Sequence, residues 1–478
     1  MSQETLQAFE PIFYPRSIAV VGASEDGLKF GTRYLQALIS SGFKGGLYPI
    51  NPHEDKVLGL KTYPKLASIP DSVDYVIVSI PARLLLELLD ECAAKGVKAV
   101  QIFTAGFSET GEEEGVRLEK QIAKKAREGG FRIIGPNCIG VYSPAGQMPY
   151  GPMYFGAEAG SVGFVSHSGG VGGTLIDEGV RRGIRFSKVV SFGNGCDLDT
   201  CDYLEYLAID PDTKIVGAYL EGAKESRRLL GMVREISKTK PMIIWKGGRT
   251  SAGAETAASH SASLAGSEVI WKAALKQAGA IKVESHEELV DTILAFQHLS
   301  WFEGSRIAVI AGLYGAGGGI SVASSDACTK EGLEVPPFSD ETRTQLKTII
   351  PKAGSIMRNP LDMGAAGGIM AILSKTIELV LDDPLIEALI IQVPVDLLFG
   401  FGPGNVFHDT IGVIVNFRKT QTKPIIVLSP HGEAVAERLE FESRLSDAKI
   451  PVYPTVERAA RAIVNISWYC RFHGSKNP

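Results

Sequence analysis

Residues 17–31 read Ser17-Ile-Ala-Val-Val-Gly22-Ala-Ser24-Glu-Asp-Gly-Leu-Lys29-Phe-Gly31. A short, β-branched apolar run closes on a glycine turn, and a helical stretch from about Gly31 to Ser40 follows. A strand, a glycine turn and a helix in this order open a βαβ unit, and they predict a parallel sheet with helices on its faces. Further strand-like runs follow at Gly46-Leu-Tyr-Pro-Ile50, Tyr75-Val-Ile-Val-Ser79, Ala99-Val-Gln-Ile-Phe103 and Phe131-Arg-Ile-Ile134, most of them separated by helix-length segments. Their trailing loops, Asn51-Pro52, Ser79-Ile-Pro81, Thr104-Ala-Gly106 and Gly135-Pro-Asn137, would gather at the carboxyl edge of that sheet, where ligands of α/β folds bind. The first turn lacks the full GxGxxG pattern, and Asn51-Pro52 stands where a ribose-binding acid would end the second strand. Both departures weaken a dinucleotide site and favour another nucleotide, with Lys29 available for a phosphate.

At 478 residues the chain has room for roughly three domains of about 150 residues. Hydrophobic residues are 45%, charged residues 22% and the formal net charge is −5, so composition indicates a globular protein with no general affinity for nucleic acid. The apolar runs are strand-sized and the amino terminus lacks a basic-then-apolar signal, which predicts no membrane segment and a cytoplasmic location. Six scattered cysteines without a CxxC pair predict neither a disulfide framework nor a structural zinc.

A Pro-, Gly- and Tyr-rich segment from Met148 to Gly160 reads as a linker, and a second α/β unit begins beyond it. Gly163-Phe-Val-Ser166 runs into Ser166-His167-Ser168-Gly169-Gly170 and a helix from about Gly172 to Arg182. This is a strand, a glycine nest and a helix N-terminus able to hold a phosphate oxygen, although a plain serine cap fits the same residues. Val189-Val-Ser-Phe-Gly193-Asn194 repeats the strand-to-glycine theme, and Asp197, Asp199 and Asp202 after it read as a cap and a solvated first turn, not a metal site. Ile215-Val-Gly-Ala-Tyr-Leu-Glu221-Gly222 places Glu221 at the carboxyl end of a strand, and Pro241–Lys246 leads into a loop, Gly247 to Gly266, built almost wholly of Ala, Gly, Ser and Thr around His260. A histidine can attack phosphorus through one ring nitrogen when a carboxylate holds the proton on the other. Parallel neighbouring strands would put Glu221 and the His260 loop on one face, so the pair is a candidate catalytic couple, although a solvated surface-loop histidine and a solvent-exposed end-of-strand glutamate fit the same residues.

Val-Val-Gly22-Ala-Ser24, Gly135-Pro-Asn137, Ser166-x-Ser168-Gly169, Ser191-Phe-Gly-Asn194, Tyr219-Leu-Glu221-Gly222 and Ser259-His260-Ser261-Ala-Ser-Leu-Ala-Gly266 occur in this order. In this ordered set the chain resembles the α subunit of nucleoside-diphosphate-forming acyl-CoA synthetases, the succinyl-CoA synthetase superfamily. The resemblance extends over a third α/β unit that opens at Arg306-Ile-Ala-Val-Ile310 and includes Arg358-Asn-Pro-Leu-Asp362. It implies a Rossmann-like CoA-binding domain over residues 1–147, a flavodoxin-like ligase domain over 148–300 carrying the phosphohistidine loop, and a third flavodoxin-like ligase domain over 301–478. It further implies that CoA, a substrate, lies against Gly22, Ala23, Ser24, Lys29, Asn51, Ser79 and Pro81 with its thiol near Asn137. Phosphate and the acyl carbonyl would meet at Ser166, His167, Ser168, Gly169, Gly170 and Asn194, and His260, steadied by Glu221, would accept the phosphoryl group. All three units being assigned, with no Walker motif, the resemblance implies a separate ATP-grasp β subunit that carries Mg²⁺ and ATP or ADP, in an α₂β₂ or similar assembly. His167 stands where this family usually has glutamine, which makes it a second candidate phosphoacceptor behind His260. Gly315-Ala-Gly-Gly-Gly319 replaces a proline-containing turn. A CoA-binding sensor or scaffold without catalysis is the alternative, and an NAD-dependent dehydrogenase is disfavoured by the incomplete glycine pattern.

Overall fold

A computed structural model describes residues 3–152, 158–253, 255, 267–299, 301–313, 317–400 and 405–474. It divides into two compact units, Met1–Asp177 with Arg185–Glu284, and Glu178–Ile184 with Ser285–Pro478.

The first unit holds two sheets. Strands β1 (Ser17–Val21), β2 (Gly46–Ile50), β5 (Tyr75–Val78), β6 (Ala99–Ile102) and β7 (Arg132–Ile134) form an all-parallel sheet in the order β2-β1-β5-β6-β7; a two-stranded ribbon of β3 (Lys56–Val57) and β4 (Leu60–Lys61) lies beside it in sequence. All five residues of β1 are buried, as a central parallel strand covered on both faces requires. Helices α2 (Phe30–Ser40), α3 (Leu85–Lys95) and α4 (Glu113–Gly129) are the crossovers that parallel pairing needs. The order reverses between β1 and β5, and a topological switch point of this kind opens a crevice at the carboxyl ends of its two strands. Strands β8 (Gly140–Tyr142), β9 (Val162–Ser166), β10 (Phe186–Ser191), β11 (Ile215–Leu220), β12 (Met242–Lys246) and β13 (Ile281–Val283) form the second sheet in the order β13-β12-β11-β9-β10-β8. Only β8 runs antiparallel, pairing Val189 with Tyr142. The switch point here falls at β9, whose trailing loop is Ser166 to Gly170.

Two segments depart from their sequence reading. Met148 and Tyr150 are buried, and the Tyr150 hydroxyl donates to the Gly169 carbonyl at 2.9 Å, so the segment read as a linker is packed into the unit as far as it is described before residue 153. Helix α1 (Gln3–Phe13) precedes the first sheet in sequence, yet it packs on the second: Phe13 stacks on Tyr206 at 4.7 Å and Phe9 on the same ring at 5.0 Å. Beside it Lys188, 1% exposed, donates to Asp210 at 2.9 Å and Asp212 at 3.0 Å and lies over the Tyr14 ring.

The second unit carries β14 (Ile307–Gly312), β15 (Leu361–Asp362), β16 (Ala388–Gln392), β17 (Ile425–Leu428) and β18 (Val452–Tyr453), all parallel, in the order β15-β14-β16-β17-β18. The Asn359 side chain ties its edge by accepting from Val309 N at 2.9 Å and donating to the Ile307 carbonyl at 2.8 Å. All three sheets therefore have the mixed α/β architecture expected. Among the described residues no helix is long and apolar enough to cross a membrane.

Candidate active site

Two loops approach each other at the carboxyl edges of the two sheets in the first unit. Gly135-Pro136-Asn137 leaves β7, and Phe192-Gly193-Asn194 leaves β10. A Cβ on Gly193 would lie 2.2 Å from the Asn137 carbonyl, and its φ is +54°, so only glycine lets the loops close to this distance. Asn194 N donates to the Pro136 carbonyl and Cys196 N to that of Gly135. Asp197, read as solvated, instead accepts from Arg132 Nε at 2.9 Å and Ile133 N at 2.8 Å. Helix α5 (Gly169–Arg181) precedes this loop and helix α6 (Thr200–Ile209) follows it, the latter capped by Asp199 in a reciprocal box with Asp202. The three acids are structural. Among the described residues no three metal-ligating side chains gather, and the six cysteines are unpaired.

Between the two loops lies a cavity of about 450 Å³ whose walls include Asn137, His167, Ser168, Gly170, Asn194 and Glu221, together with Thr104 from the β6 loop. Helix α5 starts at its wall, and the N–H groups of Gly169 and Gly170 in the first turn have no intrahelical acceptor. Ser166, fully buried, donates its hydroxyl to the Ser168 carbonyl at 2.7 Å and accepts from Ser168 N at 3.1 Å, so it shapes the nest and does not line the cavity. The Ser168 hydroxyl oxygen accepts from Val171 N at 3.4 Å, which leaves its proton to point elsewhere.

His167 packs its ring on Phe192, 4.6 Å between centroids, with Nδ1 buried and unpartnered. Burial first, then the positive charges of Lys224 and Lys246, against the opposing effect of the Tyr219 carbonyl, depress its pKa to about 4, so the imidazole is neutral at physiological pH. Glu221 follows β11, which pairs with β12 up to Leu220 opposite Lys246. Lys246, 1% exposed, donates to the Glu221 carbonyl at 2.8 Å and to that of Gly247, fixing where β12 ends. Glu221 thus stands at the root of the loop that contains His260, as the strand order required; His260 itself lies outside the described residues.

The residues expected to meet CoA collect at the switch point of the first sheet. Gly22, at φ +95°, turns so tightly that a Cβ would lie 2.6 Å from the Ser79 carbonyl, and Ser79 N donates to Val21 O. Ser24 exchanges hydrogen bonds with Thr32 in helix α2. Asn51 donates Nδ2 to the Ala23 carbonyl at 2.9 Å and accepts from His53 N at 2.9 Å, so its side chain holds the first turn in place. Lys29, the residue before α2, and Pro81 are exposed at this edge. Sequence reasoning missed Glu109 and Glu119, whose carboxylates meet Asn194 at 2.5 and 2.7 Å. They lie in an acid-rich run that reads locally as a solvated helix start, and no periodicity signals a partner 75 residues away.

Comparison with known proteins finds three family models along the chain. Residues 16–144 match a CoA binding domain, 159–296 a succinyl-CoA ligase like flavodoxin domain and 308–471 a ligase-CoA domain. The chain is 36% identical to the acetate–CoA ligase [ADP-forming] II subunit alpha of Pyrococcus furiosus, over 94% of this chain and 95% of the relative, and 35% identical to subunit alpha of ligase I from the same organism, over 95% and 96%. Among solved structures, the dinucleotide-forming acetyl-coenzyme A synthetase 1 of Ca. Korarchaeum cryptofilum, in complex with phosphate and ADP, superposes with a TM-score of 0.83 at 34% identity and 97% coverage of both chains. With a CoA-type domain and two ligase-type domains in the same order, and with these identities over nearly its whole length, the chain belongs to the α subunits of the NDP-forming acyl-CoA synthetases.

Proposed function

We propose that the protein is the α subunit of an ADP-forming acyl-CoA synthetase of the cytoplasm, interconverting acyl-CoA, phosphate and ADP with a carboxylic acid, CoA and ATP. The observation that carries this reading is the cavity itself. Its lining includes the start of α5, whose first N–H groups have no intrahelical acceptor, loop residues of the CoA-binding domain, and Glu221 at the root of the His260 loop. An oxygen of inorganic phosphate attacks the thioester carbon, the C–S bond breaks, and the sulfur leaves as thiolate and takes up a proton to give CoA and an acyl phosphate. A His260 ring nitrogen then attacks phosphorus, the P–O bond to the acyl group breaks, and the carboxylate departs. Glu221 keeps the proton on the other ring nitrogen and stabilises the positive charge that the ring acquires. Gly169 and Gly170 N–H, the Ser168 hydroxyl and the α5 dipole offset charge on the migrating phosphoryl group, the principal work in such a transfer. His260 finally phosphorylates ADP on a separate ATP-grasp β subunit, which supplies nucleotide and Mg²⁺ in an α₂β₂ or similar assembly.

The test is phosphohistidine mapping by mass spectrometry under non-acidic conditions. The chain is incubated with phosphate and a panel of acyl-CoAs, with and without a co-expressed ATP-grasp partner, as wild type, His260→Ala and His167→Ala. Phosphate on His260 that depends on one acyl-CoA and survives His167→Ala is the expected result. Phosphate on His167, or CoA binding without phosphorylation under any condition, would overturn the reading, the latter in favour of a CoA sensor.

A further inference from the structure

Every hydrogen-bonding atom of Asn194 can be accounted for. Its backbone N–H goes to the Pro136 carbonyl at 3.1 Å, and its own carbonyl accepts from Lys224 Nζ at 2.9 Å. The side-chain Nδ2 faces Glu109 Oε2 at 2.5 Å, Glu119 Oε2 at 2.7 Å and Ser108 Oγ at 3.3 Å. Two carboxylates take both N–H protons. What remains is Oδ1, which meets only Asn137 Nδ2, at a long 3.4 Å, and retains a second lone pair.

The orientation is forced by charge. Turning the amide over would set Oδ1 against two carboxylate oxygens with no proton between them, a repulsion that a site of low exposure does not screen. Asn194 is 7% exposed. Both acids are themselves held: Glu109 Oε1 accepts from Gly106 N at 2.6 Å and Phe107 N at 3.1 Å, and Glu119 Oε2 accepts from the Ser108 hydroxyl at 2.6 Å. Although burial pushes the Glu109 carboxyl upward, the bonds from Asn194 and from these backbone N–H groups outweigh it and hold the pKa below the usual value, so the group is ionised.

We infer that Glu109 and Glu119 are positioning residues that lock Asn194 with its carbonyl oxygen, not its amide nitrogen, free for the cavity, so that Asn194 receives a hydrogen bond from a donor on the thiol substrate and takes no part in binding phosphate. This rests on the acyl-CoA synthetase reading for the identity of the thiol and amends that reading at one residue. The donors CoA offers at this end are its thiol S–H and the amide N–H groups of its pantetheine arm. Phosphate is left to the α5 N-terminus and Ser168.

The test compares wild type with Glu109→Gln/Glu119→Gln, which keeps the shapes and removes the charge that sets the amide, with Asn194→Asp, and with Asn194→Asp/Glu109→Gln/Glu119→Gln, which exchanges donor and acceptor across both contacts. Calorimetry with CoA and with desulfo-CoA is run on each, followed by KM for CoA and for phosphate in the assembled enzyme. The expected result is CoA binding weakened about tenfold in the first variant, as for one lost hydrogen bond, with the phosphate KM within about twofold of wild type. Partial recovery relative to Asn194→Asp is expected in the exchanged set, where the amides introduced at positions 109 and 119 donate to the carboxylate introduced at position 194. If desulfo-CoA shows the same tenfold loss, the donor is a pantetheine N–H; if it shows none, the donor is the S–H. Unchanged CoA binding, or a phosphate KM that rises as much as that for CoA, overturns the inference; so does an exchanged set no better than Asn194→Asp alone. Should wild type fail to bind CoA, it is the synthetase reading that falls.

Discussion

His167 occupies a position where burial and charge act in one direction. A histidine next to a phosphate-binding turn suggests an acid, a base or a nucleophile, yet the ring is packed on Phe192, Lys224 and Lys246 oppose its protonation, and its pKa falls to about 4. Neutral through the physiological range, it forms part of the cavity wall. Because the folded pKa lies below the unfolded value of about 6.5, the unfolded chain binds the extra proton. The stability tied to this difference is full above about pH 6.5 and is lost as pH falls toward 4. Relative to His167→Gln, wild type should therefore lose about 2 kcal/mol between pH 7.5 and pH 5, since the carboxylates common to both proteins cancel in the comparison. Urea unfolding of the two proteins at the two pH values measures it, and parallel curves would show that the imidazole titrates normally. The sequence placed His167 beside Ser166, Ser168 and Gly169 without difficulty. Its protonation state was not legible, because both cations come from other strands and loops.

At the scale of elements, strands were read almost to the residue where a run of β-branched side chains is buried on both faces. The expected Ser17–Val21 is a strand over those residues, buried throughout, and the run read from Ile215 to Gly222 is a strand over Ile215–Leu220; Gly46–Ile50 also forms as expected, although it is an edge strand with only Pro49 and Ile50 buried. The expected start at Gly172 moved back to Gly169 because glycines, poor helix formers in isolation, are held in the first turn by the Ser168 cap. Helix α1 was not expected: Pro11 interrupts its pattern, and its apolar face is completed by Tyr203 and Tyr206 nearly 200 residues away. Packing, not propensity, holds it. Phe13→Ala should accordingly cost about 3–5 kcal/mol, the usual range for emptying a buried aromatic site, while the CoA site, formed by other loops, keeps its affinity. Denaturant unfolding read beside CoA calorimetry tests this. A loss below about 1 kcal/mol would mean that α1 is held by Lys188 and its acids instead of by its rings.

For the whole molecule, the order of α/β units was legible because each sheet repeats the same alternation of apolar strand and glycine turn. The contacts that fix a unit were not, since single charges far apart in sequence leave no periodic trace. Asp291 is the clearest case. In the second unit it is 2% exposed and accepts from Arg182 Nη1 at 2.7 Å, Arg458 Nε at 2.6 Å and Arg458 Nη2 at 2.9 Å. Arg182 comes from the short segment Glu178–Ile184 and Arg458 from the last helix, Val456–His473, so one carboxylate ties three stretches of chain into this unit. Removing its charge leaves two guanidinium groups facing each other, with Glu178 3.5 Å from Arg182 and 4.0 Å from Arg458 and Glu287 also acting on Arg458. Breaking a buried pair in this way costs about 3–5 kcal/mol, and the partial wetting of Arg458 places the expected loss for Asp291→Asn near the lower end. In a thermal melt this corresponds to a transition lowered by roughly 5–10 °C. The variant's CoA affinity at 25 °C should match wild type, because the loops at the switch point belong to the other unit. A melt unchanged by the substitution would mean that the apolar core of the second unit carries its stability without this ion cluster.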